Sequence, residues 1–552
     1  MRKSTSSASK KSKIEPDLFS ESWGLPNAVQ HWFLDRKWAP RAHQLDMLEA
    51  DKTGKSALLI APTGAGKTLA GFLPSICDLA ENAHKGMHTL YISPLKALAV
   101  DVARNLTDPI NEMALDIRVE TRTGDTPSSR RQRQRFDPPH ILMTTPEQLA
   151  LMLSHKEAPK LFGSLKRVVL DELHALALSK RGDLLALGLA RLGKLCPDLK
   201  ISALSATVAK PEMLREWIGR PKPEREVAFV TNTGGADPHV EILASDDRVP
   251  WAGHSAQYAV PELLEIIKQN GTTLLFVNTR SQAELLFQSL WELNDDGLAI
   301  ALHHGSLDVE QRRKVEAAMV AGKLQAVVCT STLDLGIDWG DVDLVVQIGA
   351  PKGSSRLLQR IGRSNHRLDE PSRALLVPAN RFEVLECEAA KEAVEERAQD
   401  SEDPQPGGLD VLAQHILGMA CSAPFNAVEL YDEILCAWPY RDLEWEQFER
   451  VVDFVATGGY ALRAYERFAR LRKTEDDTWR IVHPQVAQQY RMNVGTIVEE
   501  PMLKVRLVRA RGNRRGATTG PIGRGGRVLG EIEEYFISQL MPGDTFIFGG
   551  EI

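Results

Sequence analysis

From residue 57 to residue 204 the chain repeats one rhythm: a short apolar run, then a longer stretch in which apolar positions return every three to four residues. The runs at 57–61, 89–93, 141–145, 167–170 and 200–204 are too short for helices. They are continuous rather than alternating, so both faces of each strand are expected to be covered. The helical stretches between them supply that cover, which predicts a parallel sheet with helices on both faces. A connection rich in Pro, Gly and Asp occupies 219–260, and a second series of strand runs follows at 272–278, 298–302, 325–330, 344–348 and 374–377. Two tandem doubly wound α/β units are therefore expected, assigned to 23–222 and 223–398. Ligands of such sheets collect at the C-terminal ends of the strands.

The remaining stretches read differently. Residues 1–22 begin with a Ser- and Lys-rich basic tail too poor in apolar residues to order itself, and 399–408 is a linker by composition. Residues 409–490 carry three helical periodicities and a short hairpin-like tail, a size suited to a winged helix. Its Trp438, Tyr440 and Trp445 are candidates either for core or for base stacking. From 491 to 552 the pattern alternates as in strands and is assigned to a partial β-rich domain. It carries Lys504, Arg506, Arg509, Arg511, Arg514, Arg515, Arg524 and Arg527 without an intervening acid. This patch is open to two readings, a phosphate-holding surface or a solvated loop. The run Ser128 to Arg135, SSRRQRQR, divides in the same way between a phosphate rail and a solvated helix face.

Candidate chemistry enters where the first apolar run breaks into Pro62-Thr63-Gly64-Ala65-Gly66-Lys67-Thr68 and then into an apolar helix. Strand, Gly-rich loop and helix in that order form a phosphate cradle, although Ala61 stands where the general pattern has its first glycine. Backbone N–H groups of Thr63, Gly64, Ala65 and Gly66 would face phosphate oxygens, Lys67 would reach the β and γ phosphates, and the Thr68 hydroxyl would hold Mg²⁺. Gln44 can both donate to and accept from an adenine edge, which makes it a candidate base reader. The run 167–170 delivers Asp171 and Glu172 to a strand mouth, the first to hold Mg²⁺ and the second to orient and deprotonate water. Ser205 and Thr207, after the next run, offer hydroxyls to His174 or to the acids. The second unit lacks a phosphate loop but contains Gln359-Arg360-Ile361-Gly362-Arg363, whose arginines at i and i+3 are expected on one helix face, suited to the charge of phosphoryl transfer.

Composition narrows the setting. With 552 residues, 43% hydrophobic and 26% charged, the chain holds several ordinary globular cores. No window approaches the ~18 apolar residues of a membrane span. Six scattered cysteines without a CxxC argue against zinc, iron–sulfur clusters or a disulfide framework and point to a reducing cytoplasm. A net charge of −7 leaves nucleic-acid contact to local patches.

The segments APTGAGKT, SPLKAL, TRTGD, TTPE, DELH and SAT, in this order, resemble the first motor domain of a superfamily 2 helicase of the DExH-box type. The longer stretches LYISPLKALAVDVARNL and DELHALALSKRGDLLALGLARL resemble the Lhr (large helicase-related) family, closest to its bacterial ligase-associated branch. The resemblance implies two RecA-like domains, a winged helix and a further β-rich domain, which relatives continue beyond the point where this chain stops. It implies ATP with Mg²⁺ in the cleft, catalytic roles for Lys67, Asp171, Glu172, Gln359, Arg360 and Arg363, and nucleotide approach by Gly336 and Asp338. Asn365 and His366 depart from the commonest ending of the arginine motif. For the strand, the expected contacts are Pro94, Lys96, Arg122, Thr123, Gly124 and Thr145 in the first domain, and Asn278, Thr279, Arg280, His304, Gly305, Thr330 and Ser331 in the second. They grip phosphates without reading bases. The implied activity is ATP-driven movement along single-stranded DNA, with a link to DNA-repair proteins. RNA or RNA–DNA hybrid remodelling, and an ATP-binding nucleic-acid clamp that does not translocate, are the alternatives.

Overall fold

The computed structural model describes residues 23–551 apart from 63, 233, 235, 246, 254, 335–339, 365–370, 401–403, 463–464, 466–467, 497–501, 508–526, 534–535, 538 and 541–542. The expected roles of Thr63, Gly336 and Asp338, the Asn365-His366 departure, the tail 1–22 and the arginines between 509 and 524 lie outside the described residues.

The first lobe is a seven-stranded parallel sheet. Its strands are β1 (Ser56–Ile60), β2 (Thr89–Ile92), β3 (Val119–Thr121), β4 (Ile141–Thr144), β5 (Arg167–Leu170), β6 (Lys200–Ser205) and β7 (Val227–Thr231), in the order β3-β4-β2-β5-β6-β1-β7. Successive side chains of a strand point to opposite faces, and each face here feeds its own core. Leu58, Ile60, Leu90, Val168 and Leu170 enter one cluster, while Ala57, Leu59, Tyr91, Val169 and Leu204 enter the other. This is why the runs are apolar throughout. β7 pairs in register with β1, from Ser56 opposite Val227 to Ile60 opposite Thr231. The expected boundary at 222 is therefore too early, and 219–260 is not wholly connection. β7 escaped notice because it is an edge strand of mixed burial.

The second lobe is a six-stranded parallel sheet of β8 (His239–Ile242), β9 (Thr273–Phe276), β10 (Ile300–His303), β11 (Ala326–Cys329), β12 (Leu344–Ile348) and β13 (Arg373–Val377), in the order β10-β11-β9-β12-β13-β8. β8 also lies inside the stretch expected to be connection, and it too is a half-exposed edge.

The winged helix comprises helices Leu409–Ser422, Ala427–Leu435, Trp445–Thr457 and Pro484–Met492 around the small sheet of β14 (Phe425–Asn426), β15 (Leu471–Lys473) and β16 (Thr478–Ile481). Its described buried apolar residues join the core of the first lobe. Leu412, Ile416, Ile434, Phe448 and Tyr490 belong to the same buried cluster as Leu58, Leu149 and Leu189 of the first lobe. Buried Glu433 accepts from Arg191 Nη1 at 2.9 Å, and Arg491 Nη2 donates to the Ser154 carbonyl at 2.7 Å. Trp438 and Tyr440 are buried, and Trp445 packs on Tyr431 and Phe448, so none of the three is an open stacking platform. The described end of the expected linker is likewise packed, with the Gly407 N–H donating to the Pro439 carbonyl at 2.8 Å.

Past the winged helix, β17 (Met502–Leu507) and β18 (Arg527–Glu533) form an antiparallel pair. β18 is stitched to the second lobe: Glu531 N–H donates to the Ser306 carbonyl at 2.9 Å, and Gly530 bridges Leu307.

Candidate nucleotide cleft and nucleic-acid face

β5, β6 and β1 are neighbours, so the chain leaves their C-terminal ends at one spot carrying Asp171 and Glu172, Ser205, and the phosphate loop. The loop depends on left-handed backbone at Gly64 (φ 75°) and at Gly66 (φ 76°), immediately before helix Lys67–Glu81. Its carbonyls are held from behind. Arg41 Nη1 donates to Gly64 O at 3.2 Å, His43 Nε2 lies 2.9 Å from Ala65 O, and Gln44 Nε2 donates to Gly66 O at 3.4 Å. Turning three successive carbonyls outward leaves the N–H groups to face a ligand. His43 Nδ1 also lies 3.2 Å from Asn232 Nδ2, at the start of the passage between the lobes. Neither Arg41, His43 nor Asn232 was singled out by the sequence. For Arg41 and His43 the clue available was their closeness to Gln44, but their partners are backbone carbonyls that no motif displays, and Asn232 reaches His43 from far along the chain.

Gln44 itself differs from expectation. Its Oε1 accepts from the Arg41 N–H at 2.9 Å while its Nε2 serves the loop, and it is buried. Each end of the amide thus already has a protein partner, and its role in the structure is to clamp the loop.

Lys67 Nζ donates to the Ala61 and Pro62 carbonyls, each at 3.0 Å. Burial pulls its ammonium below the usual range against the raising pull of Glu172 and Asp171. Asp171 accepts from Tyr91 Oη at 2.7 Å and from the Glu172 N–H at 2.9 Å. Burial and the neighbouring Glu172 charge raise its pKa. Glu172 goes the other way: burial alone would raise it, but His174, Lys67 and Arg363 hold it ionised. Glu172 also sits at φ 48°, a strained conformation for a residue with a side chain. Among the described residues no group of three His, Cys, Asp or Glu side chains is placed to hold a metal unaided.

The second lobe reaches this spot through Gln359, whose Nε2 lies 2.8 Å from His174 Nε2. His174 Nδ1 lies 3.2 Å from Ser205 Oγ, which donates to the Ala206 carbonyl at 2.8 Å. The Ala206 N–H donates to the same Nδ1 at 3.3 Å, so the ring is held between Gln359 on one nitrogen and Ser205 with Ala206 on the other. Thr207 is exposed and takes no part in it. Arg363 is buried and stands within electrostatic reach of both Lys67 and Glu172.

Arg360 is a correction. Its Nε donates to Asp334 Oδ1 at 2.8 Å, its Nη1 to Gln347, and its guanidinium lies 4.8 Å over the Phe276 ring. It is spent inside its own lobe. The reason is local: helix Ser354–Ile361 stops before Gly362, so Arg360 and Arg363 do not share the helical face that their spacing suggested.

The expected strand contacts divide by exposure. Lys96, Gly124, Thr279, Gly305 and Ser331 are open to solvent, with Lys96 Nζ 3.3 Å from Asp125. Asn278 and Thr330 are half-buried, and Asn278 donates to the Ala350 carbonyl at 2.8 Å. Pro94, Thr123 and Thr145 are buried. Arg122 is buried with Nη1 donating to Arg131 O at 3.0 Å, and buried His304 lies 2.9 Å from Glu284. Arg280 is held by Glu533 of β18, at 2.8 and 3.1 Å. These last three side chains face protein, so they do not present themselves to a strand as the resemblance implied.

Two RecA-like lobes, a phosphate loop on one and an arginine turn from the other against its acids, define the superfamily 2 helicase architecture. Residues 41–214 match the DEAD/DEAH box helicase family, 258–367 the helicase conserved C-terminal domain, and 392–552 the large helicase-related protein winged helix domain. The chain belongs to the Lhr family of helicases. It is 35% identical to ATP-dependent helicase Lhr-Core protein 2 of Thermococcus barophilus over 95% of this chain, and 34% identical to Lhr-Core of Methanocaldococcus jannaschii over 96%. It spans 62% of the length of each of those relatives. Among solved structures, that of Mycobacterium smegmatis helicase Lhr bound to ssDNA and AMP-PNP is similar, with a TM-score of 0.78 at 33% identity, covering 87% of this chain and 63% of that one.

Proposed function

We propose that this chain is an ATP-dependent DNA helicase or translocase that hydrolyses ATP between its two lobes to move along single-stranded DNA. The observation that carries this reading is the contact between Gln359 and His174, which ties the second lobe to the acid pair of the first at 2.8 Å. A nucleic-acid strand spanning both lobes would thereby bear on the hydrolytic residues. The relative from M. smegmatis, described as bound to ssDNA and AMP-PNP, supports DNA as the strand.

In this reading the loop N–H groups and Lys67 bind the phosphates, and Glu172, kept ionised, orients the attacking water and accepts its proton. Arg363 faces the charge that develops at the γ-phosphoryl group. The donor set fits Mg²⁺: one hydroxyl and one buried carboxylate, Thr68 and Asp171, are hard oxygen ligands too few to hold a metal without phosphate oxygens. Bound there, Mg²⁺ supplies neutralisation of the phosphate oxygens. Participation in DNA repair and the ligase-associated branch rest on resemblance, and a cytoplasmic location rests on the scattered cysteines. The free state of all six cysteines is consistent with that location.

ATP turnover with and without a single strand, compared between wild type and Glu172→Gln, tests the proposal. Strand-stimulated turnover lost in the variant is expected; equal strand displacement by both proteins would exclude this mechanism. DNA and RNA strands of one sequence, run side by side, separate DNA translocation from RNA remodelling.

A further inference from the structure

Helix Ser128–Phe136 is the basic run that the sequence left open, and its residues are not equivalent. Arg133 is paired with Glu120, and buried Gln134 donates to Glu120 at 2.9 Å and to the Thr121 carbonyl at 3.2 Å. That docking brings the helix against Arg122, which donates to the Arg131 carbonyl. Arg135 Nη1 lies 3.4 Å from His155 Nδ1. His155 in turn sits where the winged helix meets the first lobe. Ser422 Oγ donates to its carbonyl at 3.0 Å, and Arg491 Nε donates to Ser154 Oγ at 3.3 Å.

Arg122, Arg131, Arg135 and Arg491 thus gather around one seam, and among the described residues no carboxylate pairs with them. Glu120 is committed to Arg133, and Glu147 to Arg181 at 2.5 Å. Arg122 is 2% exposed, and its Nε, like that of Arg135, has no hydrogen-bond partner among the described residues. The crowding registers on the groups themselves: burial, then Arg135 and Arg131, lower Arg122 to about 10, and burial, then Arg491, Arg135 and Arg122, lower His155 to about 4. His155 is therefore neutral near pH 7 and does not add to the charge. A buried guanidinium without a counter-charge is costly, and native proteins rarely leave one so.

We propose that the seam is a phosphate-binding site, in which half-exposed Arg131 and Arg135 hold a backbone phosphate of the strand while Arg122 supplies uncompensated positive charge behind them. This rests on the nucleic-acid reading above and extends the strand's path from the open Gly124 turn toward the winged helix. Planar guanidinium forks suit phosphate oxygens.

The test uses the full chain and an oligodeoxythymidylate strand, with affinity measured by fluorescence anisotropy across a potassium chloride series. Arg131→Gln/Arg135→Gln should flatten the log–log salt slope by about 0.7 for each phosphate that is no longer neutralised. Arg135→Lys should keep the slope, and unchanged melting curves would show the fold intact. A folded double variant with wild-type slope and affinity overturns the site. Should the double variant unfold, Arg135→Gln alone must still flatten the slope, or the site is overturned. A melting-temperature rise in inorganic phosphate over chloride of equal ionic strength, abolished by the double variant with the DNA slope unmoved, would assign the seam to a small free anion and overturn the strand assignment. A wild type that binds no strand at all would instead sink the functional reading on which the site rests.

Discussion

Arg360 and Arg363 stand three positions apart and meet different surroundings, which makes them a clean comparison. Arg363→Gln is expected to lower strand-stimulated turnover by roughly 10³- to 10⁵-fold with little change in unfolding. Arg360→Gln leaves buried Asp334 with only Arg356, 3.8 Å away, and should cost about 3 kcal/mol of second-lobe stability in a urea titration. Glu172→Gln removes the general base, and a fall of about 10²- to 10⁴-fold in turnover is expected by steady-state assay. His174 adds a pH dependence. Burial lowers its imidazole below the ordinary 6.5, with Glu172 opposing, so the neutral ring that meets Gln359 is present above 6.5 and is lost only as pH falls through the lowered value. Strand stimulation of turnover should therefore be flat from pH 8 to 6.5 and decline below that range, whereas His174→Ala should show no such decline relative to unstimulated turnover. The acids were legible in the sequence because they lie directly beyond an apolar strand run, and Lys67 because it closes the Gly-rich loop that follows one. The fate of Arg360 was not, because Asp334 and Gln347 come from elsewhere in the second lobe and no local spacing announces them.

Helix Ala42–Lys52 shows the same limit one level up. Its place shortly before the first strand run was enough to put Gln44 near the loop, but a side-chain inventory cannot tell a base reader from a clamp on carbonyls. The two roles separate experimentally. Gln44→Ala removes a hydrogen bond worth about 0.5–1.5 kcal/mol and should raise KM about two- to tenfold for ATP and GTP alike. A loss confined to ATP would restore the base-reading role. The central strands could be located to within a residue or two because burial on both faces forces continuous apolar runs, as in 168–170. β7 and β8 could not, since a half-exposed edge needs no such run. The same reasoning explains why Trp438 and Tyr440 looked like stacking candidates: an aromatic residue carries no mark of which side of a domain it will line.

At the scale of the molecule, four sequence units resolve into two attachments. The winged helix shares its buried cluster with the first lobe, and β18 is bound to the loop after β10 of the second through Arg280, Ser306 and Glu533. Neither attachment was readable beforehand, because apolar periodicity reports that a face is buried without naming what buries it. An apolar interface continuous with a core does not slide as a polar one does. Fluorophores placed on exposed Lys160 and exposed Glu446 should accordingly report constant energy transfer through a turnover cycle, while a pair on Lys160 and exposed Lys323 should alternate between two values. In the frame of the adenosine phosphates, then, the far wall of the track is stationary, and whatever distance is gained per cycle is gained by one moving jaw.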